Sequence, residues 1–281
     1  MQVFETPGSV SLQVQLPSGR VVVTTVDEPR TSVDLISTGR RGSDAVDSIE
    51  ITAHERNGEH VVTIEHKDRI RWGPIQISWG GDVEVRVTCP PGSNLDFSGG
   101  SADLRVDGEL GEVAAKTASG DVILGDVARE LVAKTASGDI SAGTLAEGGQ
   151  VVTVSGDVHL RGFGRKLVTR SVSGDIRIEQ IRAPLQVGTT SGDIVLDSVE
   201  AGEVRAQTVS GDARVGVARG TRVWIDATSI SGSLNSELGI EDAPADEESP
   251  DSPVVLLQLK SVSGDVRIVR AAAVAAAESA A

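Results

Sequence analysis

Apolar residues return to equivalent places every eighteen residues through the middle of this chain. Counting from the serine of Ser119-Gly120-Asp121, position four is Val122, Ile140, Val158, Ile176 and Ile194, and position six is Leu124, Ala142, Leu160, Ile178 and Leu196. Residues two apart share one face of a strand, so both columns predict inward-facing strand positions. Position nine continues with Val127, Leu145, Phe163, Ile181 and Val199, a change of parity that predicts a bend. A second apolar group, Leu131, Val151, Leu167, Leu185 and Val204, predicts another short strand in each period.

The polar positions repeat as strictly. Ser-Gly-Asp stands at Ser119, Ser137, Ser155, Ser173 and Ser191, with Ser101-Ala102-Asp103 one period upstream and Ser210-Gly211-Asp212, Ser231-Gly232-Ser233 and Ser263-Gly264-Asp265 following at wider intervals. A fixed period near twenty residues marks stacked units that bury their apolar face only against neighbours. Residues 93–270 therefore predict an all-β, parallel β-solenoid with coils of about 18 residues. Eight or nine coils spaced about 4.8 Å apart make a rod on the order of 40 Å long.

Residues 1–92 lack the repeat but alternate. Val10-Leu12-Val14-Leu16, Val21-Val22-Val23, Val33-Leu35, Val61 to Ile64, Ile75-Ile77 and Val83-Val85-Val87 read as short strands separated by Gly, Pro and Asp. Pro17-Ser18-Gly19 and Pro90-Pro91-Gly92 punctuate them, and Asn57-Gly58 is a strong hairpin signal. This N-terminal β layer is expected to cap the first coil, whose unpaired backbone would otherwise recruit other chains. Residues 240–253, acidic and proline-bearing, are expected to form a disordered insertion. The alanine-rich tail 271–281 is expected to fray or form a short helix.

Composition narrows the function. Aromatics are 2% of the 281 residues and tyrosine is absent, so the core is aliphatic and no aromatic binding platform is expected. A formal charge of -15 opposes nucleic acid and anionic membranes as partners. No apolar run reaches the roughly 20 residues of a membrane-spanning helix, so membrane insertion is not expected. The Met1-Gln2-Val3-Phe4-Glu5 start lacks signal-peptide character, which predicts a cytoplasmic protein unless an unrecognised export route serves it.

The repeat itself offers the first candidate chemistry. Gly120, Gly138, Gly156, Gly174, Gly192, Gly211 and Gly264 are expected to supply positive φ at structural turns, with flanking Ser and Asp bonding nearby amides. The column Asp121, Asp139, Asp157, Asp175 and Asp193, extended by Asp103, Asp212 and Asp265, is a candidate calcium ladder. One carboxylate per coil supplies few ligands, so turn chemistry is the preferred reading and no cofactor or metal is expected. Arg105, Arg177, Arg214, Arg267 and His159 lie two residues after column carboxylates and predict charge compensation. Thr117, Thr135, Thr153, Ser171 and Thr189 predict a hydroxyl ladder between coils.

The remaining candidates are isolated. The Asn57-Gly58 turn sets His54 opposite Val61 and His60 on the other face, while His60 and His66 stand about 20 Å apart along a strand, too far for one ion. Cys89 reads as a buried bystander, because no histidine spacing makes it a nucleophile. Trp72, Trp79 and Trp224 are expected to plug a cap or an end coil.

Lys134-Thr135-Ala136-Ser137-Gly138-Asp139-Ile140 resembles the Thr-x-Ser/Asn-Gly-Asp-Ile/Val repeat of the bacterial putative-adhesin family built on a domain of unknown function. Phe4-Glu5-Thr6-Pro7-Gly8-Ser9-Val10 and Cys89-Pro90-Pro91-Gly92-Ser93 are similar to its actinobacterial branch. The resemblance implies a β-solenoid and supplies no catalytic residues to carry across. A non-enzymatic structural or protein-interaction module follows as the leading expectation, with an unidentified protein partner or self-association. Three alternatives stand beside it: a bactofilin-like self-assembling scaffold, a carbohydrate-active β-helix lyase or hydrolase, and a calcium-binding adhesion module.

Overall fold

The computed structural model describes residues 1–37, 46–56, 58–67, 83–238 and 253–271. The N-terminal strands are β1 (Gln2–Glu5), β2 (Val10–Thr25), β3 (Arg30–Ser37), β4 (Ile49–Arg56), β5 (Glu59–His66), β6 (Val83–Cys89) and β7 (Asn94–Asp107). Two columns of short parallel strands follow. One contains β8 (Val113–Lys116), β10 (Leu131–Lys134), β12 (Gly149–Val152), β14 (Leu167–Arg170), β16 (Leu185–Gly188) and β18 (Gly202–Thr208). The other contains β9 (Val122–Leu124), β11 (Ile140–Leu145), β13 (Val158–Phe163), β15 (Ile176–Ile181), β17 (Ile194–Val199) and β19 (Ala213–Val217).

Each coil thus contributes one strand to each column, and the eighteen-residue period becomes the pairing register. Ile140 pairs with Val122 and Val158, and Leu167 pairs with Gly149 and Leu185. The apolar columns read from the sequence all turn inward: Ile176, Ile178, Ile181 and Leu185 are each no more than 2% exposed. One aliphatic cluster runs unbroken from Val10 to Ile268. This is the all-β parallel solenoid expected from the repeat.

The solenoid begins earlier than the Ser-Gly-Asp marks suggest. β2 runs through Pro17-Ser18-Gly19 without ending, its first half paired with β5 and its second with β6. On its other side β2 pairs with β7 along nearly its whole length, with Ser18 opposite Ser101 and Arg20 opposite Asp103. Ser18-Gly19-Arg20 is therefore a corner one rung before Ser101-Ala102-Asp103. Antiparallel β4 then flanks β5, while β3 and β1 flank β6. The β4–β5 register sets His54 opposite Val61, as the hairpin predicts, and Gly58 has φ +81°. Asn57, Ile75-Ile77, Trp72, Trp79, nearly all of 240–253 and 272–281 lie outside the described residues.

The other end departs from sequence order. β20 (Arg222–Ser229) and β21 (Leu234–Ser236) precede β22 (Val254–Ser261) and β23 (Val266–Arg270) along the chain. Yet β22 pairs with β18 and β23 with β19, while β20 and β21 lie on the outer sides of β22 and β23. The last coil in sequence is the penultimate coil in space.

The repeat glycines are required for a different reason from the one their sequence suggests. None of them has positive φ; that conformation belongs instead to Gly8, Gly19, Gly58, Gly92, Gly108, Gly148, Gly149, Gly202 and Gly220. A Cβ on Gly138 would stand 1.9 Å from the carbonyl oxygen of Gly120, and one on Gly156 would stand 1.9 Å from that of Gly138. The same conflict recurs at Gly120, Gly174, Gly192, Gly211 and Gly264. The corners stack backbone on backbone, and only hydrogen fits between them.

Gly156→Ala is expected to lower stability by about 3 kcal/mol, whereas Gly188→Ala, whose Cβ would meet Gln207 at an ordinary 3.5 Å, stays near wild type. Urea unfolding of both variants checks this. Thr169 is fully buried between Val151 and Val187 with its Oγ1 unpartnered. Thr169→Val is expected to raise stability by about 1 kcal/mol in the same assay.

Candidate functional site

The Ser-Gly-Asp corner is a hydrogen-bonding device. Within a coil, the Gly138 N–H donates to Thr135 Oγ1 at 2.9 Å and the Gly174 N–H to Ser171 Oγ at 2.8 Å. The hydroxyl residues therefore cap a turn in their own coil instead of bonding one another. Contact between coils is made to carbonyls, as where Thr117 Oγ1 donates to Gly100 O at 3.2 Å.

The carboxylates link successive coils. Asp139, Asp157, Asp175 and Asp193 each donate a backbone N–H to the carboxylate one coil back, at 2.8–3.0 Å. Asp121 begins the series on Asp103, and Asp212 and Asp265 continue it on Asp193 and Asp212. The series ends where Ser233 N–H donates to Asp265 Oδ1 at 2.9 Å. That backbone donor holds the Asp265 carboxyl below its ordinary range. Ser233 stands where every inner coil from Ser101 onward has aspartate, and no further coil follows it among the described residues. One oxygen per carboxylate is thus engaged by backbone, and no cluster of three metal-ligating side chains occurs among the described residues.

The compensating cations are mostly elsewhere. Arg267 meets its own column neighbour Asp265 at 3.7 Å, but Arg105 pairs with Asp107 at 3.0 Å and Arg177 with Asp197 at 2.8 Å. Arg214 reaches Asp197 at 4.0 Å, and His159 pairs with Glu179 at 2.9 Å instead of Asp157. These long side chains reach past the corner to carboxylates outside the column. Arg20 adds a partner for Asp103, at 3.6 Å.

Beside the Asp column runs a feature the sequence reading missed. The residue just before each corner serine is exposed: Ala118, Ala136, Val154, Val172, Thr190, Val209, Val262 and Ile230 in spatial order. Val154, Val172, Val209 and Val262 are 43–47% exposed and Ile230 is 74% exposed. At about 4.8 Å per coil this stripe is about 34 Å long. On its other side β-paired Lys116 and Lys134, then Arg170 and Lys260, form a broken basic row. The signal was legible at repeat position eighteen, where aliphatic residues stand outside the inward pattern.

The isolated candidates stay apart. His60 lies opposite Glu55, and Ser48 Oγ is 2.9 Å from His66 Nε2. A depression of about 370 Å³ lined by His54, Glu55 and His60 lies against β1, and another of about 450 Å³ is lined by Glu130, Glu147, Arg165 and Lys166. Neither gathers a nucleophile, a base and a group orienting it. Cys89 is fully buried, and burial pushes its thiol up to about 11, so it is protonated at neutral pH. Trp224 does not plug the end coil. It is 71% exposed, because Val223 and Ile225 take the inward positions on either side of it.

Residues 9–269 match the family described as Toastrack DUF4097. The chain belongs to the Toastrack DUF4097 family. Among solved structures, this Toastrack chain is similar to a putative adhesin from Bacteroides fragilis NCTC 9343, at 14% identity, 95% coverage of each chain and a TM-score of 0.47. It is also similar to a putative adhesin from Parabacteroides distasonis ATCC 8503, at 12% identity, 95% coverage of each chain and a TM-score of 0.41. A putative cell adhesion protein from Clostridium sporogenes ATCC 15579 is 12% identical, covering 96% of this chain and 98% of its own, with a TM-score of 0.26. No curated protein matches the Toastrack chain. Among its described residues no helix is long and apolar enough to cross a membrane.

Asp157→Ala is expected to cost about 1 kcal/mol in urea unfolding at neutral pH, and Asp157→Asn less, since the amide oxygen still accepts the Asp175 N–H. Because the Asp265 carboxyl is depressed, its stabilising effect is present above the ordinary carboxylate range and fades as pH falls below it. Asp265→Asn is therefore expected to flatten the acid limb of the stability profile below about pH 4.

Proposed function

We propose that this chain is a non-enzymatic interaction module that receives a partner protein along the exposed aliphatic stripe from Val154 to Ile230. The observation carrying this reading is the stripe itself, aligned by the coil register and bordered by serines and aspartates on one side and Lys116, Lys134, Arg170 and Lys260 on the other. Exposed apolar residues scattered singly mean little, but a contiguous row with a polar rim is how binding faces are composed. The backbone corners hold the row rigid, so little ordering entropy opposes docking.

Strands β1 and β3–β6 act in this reading as a cap over the first coils, with short β1 and charge-bearing β4 blunting the two edges. The Asp column serves architecture in place of metal binding, and the lateral surface carries binding in place of catalysis.

A photo-crosslinking residue placed at Val172 or Val209 is expected to capture a discrete protein in native-host extract, and one placed at Gln186 on the outward face of β16 is not. Val172→Asp should abolish capture at Val209 while leaving the melting temperature within a few degrees. Equal capture from all three positions would refute the stripe, and reducing-end release from a glycan panel would refute the non-enzymatic assignment.

A further inference from the structure

The lateral stripe has flanks of opposite charge, and neither is neutralised from within. Along one flank each column carboxylate accepts the backbone N–H of the next coil on a single oxygen, as Asp157 Oδ1 does from Asp175 and Asp175 Oδ1 from Asp193. The other oxygen is left for a partner. Asp121, Asp139, Asp157, Asp175, Asp193 and Asp212 are exposed and meet no cation among the described residues, since Arg177 and Arg214 turn to Asp197 and His159 turns to Glu179. Consecutive coils therefore set an uncompensated carboxylate beside the aliphatic row about every 4.8 Å. Lys116, Lys134, Arg170 and Lys260 on the far flank form no ion pair among the described residues either, but Val152, Gly188 and Gln207 interrupt them.

We propose that the partner received on this stripe is a cationic amphipathic α-helix, with its apolar seam on Val154, Val172, Val209 and Val262 and a flank of lysine or arginine over the Asp column. This rests on the lateral reading and names the chemistry of its partner. Spacing selects the helix. Residues three and four apart on one helix face rise by about 4.5 and 6 Å, close to the coil spacing, so each coil meets one seam residue and one flank residue. Same-face residues of an extended strand are about 6.6 Å apart and fall out of step within two coils. The small drift that a helix accumulates is taken up by long lysine and arginine stems.

Charge complementarity selects the sign. Like charges stacked one coil apart repel, and a row of cations laid along them removes that repulsion while gaining its own attraction. A second copy of this chain is a poor occupant, because it brings a further -15. Residues 239–252 are no better, holding six carboxylates and no cation. The continuous acidic flank outweighs the broken basic one, so the helix carries its cations on one side and is neutral or acidic on the other.

Fluorescence anisotropy of the full chain with two labelled helical peptides of about 22 residues tests this, the peptides sharing a leucine seam and carrying lysine or glutamate along one flank. The lysine peptide is expected to bind at least about tenfold tighter, and to weaken at least about tenfold between roughly 50 and 300 mM salt. Asp157→Asn combined with Asp175→Asn is expected to weaken it about tenfold while melting normally, because each amide oxygen still accepts the next N–H. Glu130→Gln combined with Glu147→Gln removes the same charge elsewhere on the surface and is expected to leave affinity within about twofold. Val172→Asn weakens the lysine peptide through the seam alone. Equal binding of the two peptides overturns the proposal, and so does equal weakening by the two neutralised pairs, which means attraction to net charge only. Native-host protein captured at Val172 as well by the Asp157→Asn, Asp175→Asn chain as by wild type also overturns it, yet leaves the lateral reading standing. No discrete capture at Val172 by wild type is the separate failure of that reading, and takes this proposal with it.

Discussion

The close approach of one glycine backbone to the next governs this molecule. At each corner a carbonyl oxygen occupies the space a side chain would need, 1.9–2.1 Å from where a Cβ would stand. Once the corners nest this closely, coil spacing, strand register and the alignment of every exterior column are settled together. The hydroxyl and carboxylate on either side of the glycine satisfy amides that no strand can reach. Architecture of this kind keeps one oxygen of each carboxylate in its most conspicuous motif occupied with backbone.

Much of this was legible beforehand, and the exceptions share a cause. Positions four, six and nine pointed inward as their parity required, because burial follows side-chain direction and direction follows strand period. The direction of a long charged side chain follows neither, so Arg105 and Arg177 found Asp107 and Asp197 instead of the column. Positive φ was the wrong account of Gly138, since composition shows that a side chain is absent without showing what takes its room. Trp224 was misplaced by a preference for burying indoles, although its alternation with Val223 and Ile225 already set it outward. The order of the last two coils was hinted at by one residue: Ser233 replaces the aspartate that a following coil would require.

The exterior is acidic over most of its length and uncharged along the lateral stripe. Stacking makes any repeat position into a line, so a modest bias toward valine before each corner serine yields a mostly apolar row, interrupted at Thr190, without enlarging any single site. The same multiplication explains why a chain with few aromatics can still present a recognisable surface. As a proposed binding face the stripe is extended and shallow, suited to a long partner more than to a small ligand.

The inserted final coil makes this a structure that cannot be completed in the order it is synthesised. Residues 222–236 leave the ribosome before residues 254–270, yet their seat is formed by the later segment. The growing chain must hold its outermost winding in reserve, or lodge it temporarily on β18 and β19 and then yield that place. Residues 254–270 therefore act as a keystone, and vectorial folding, which suits every earlier winding, gives way here to a step that waits for them.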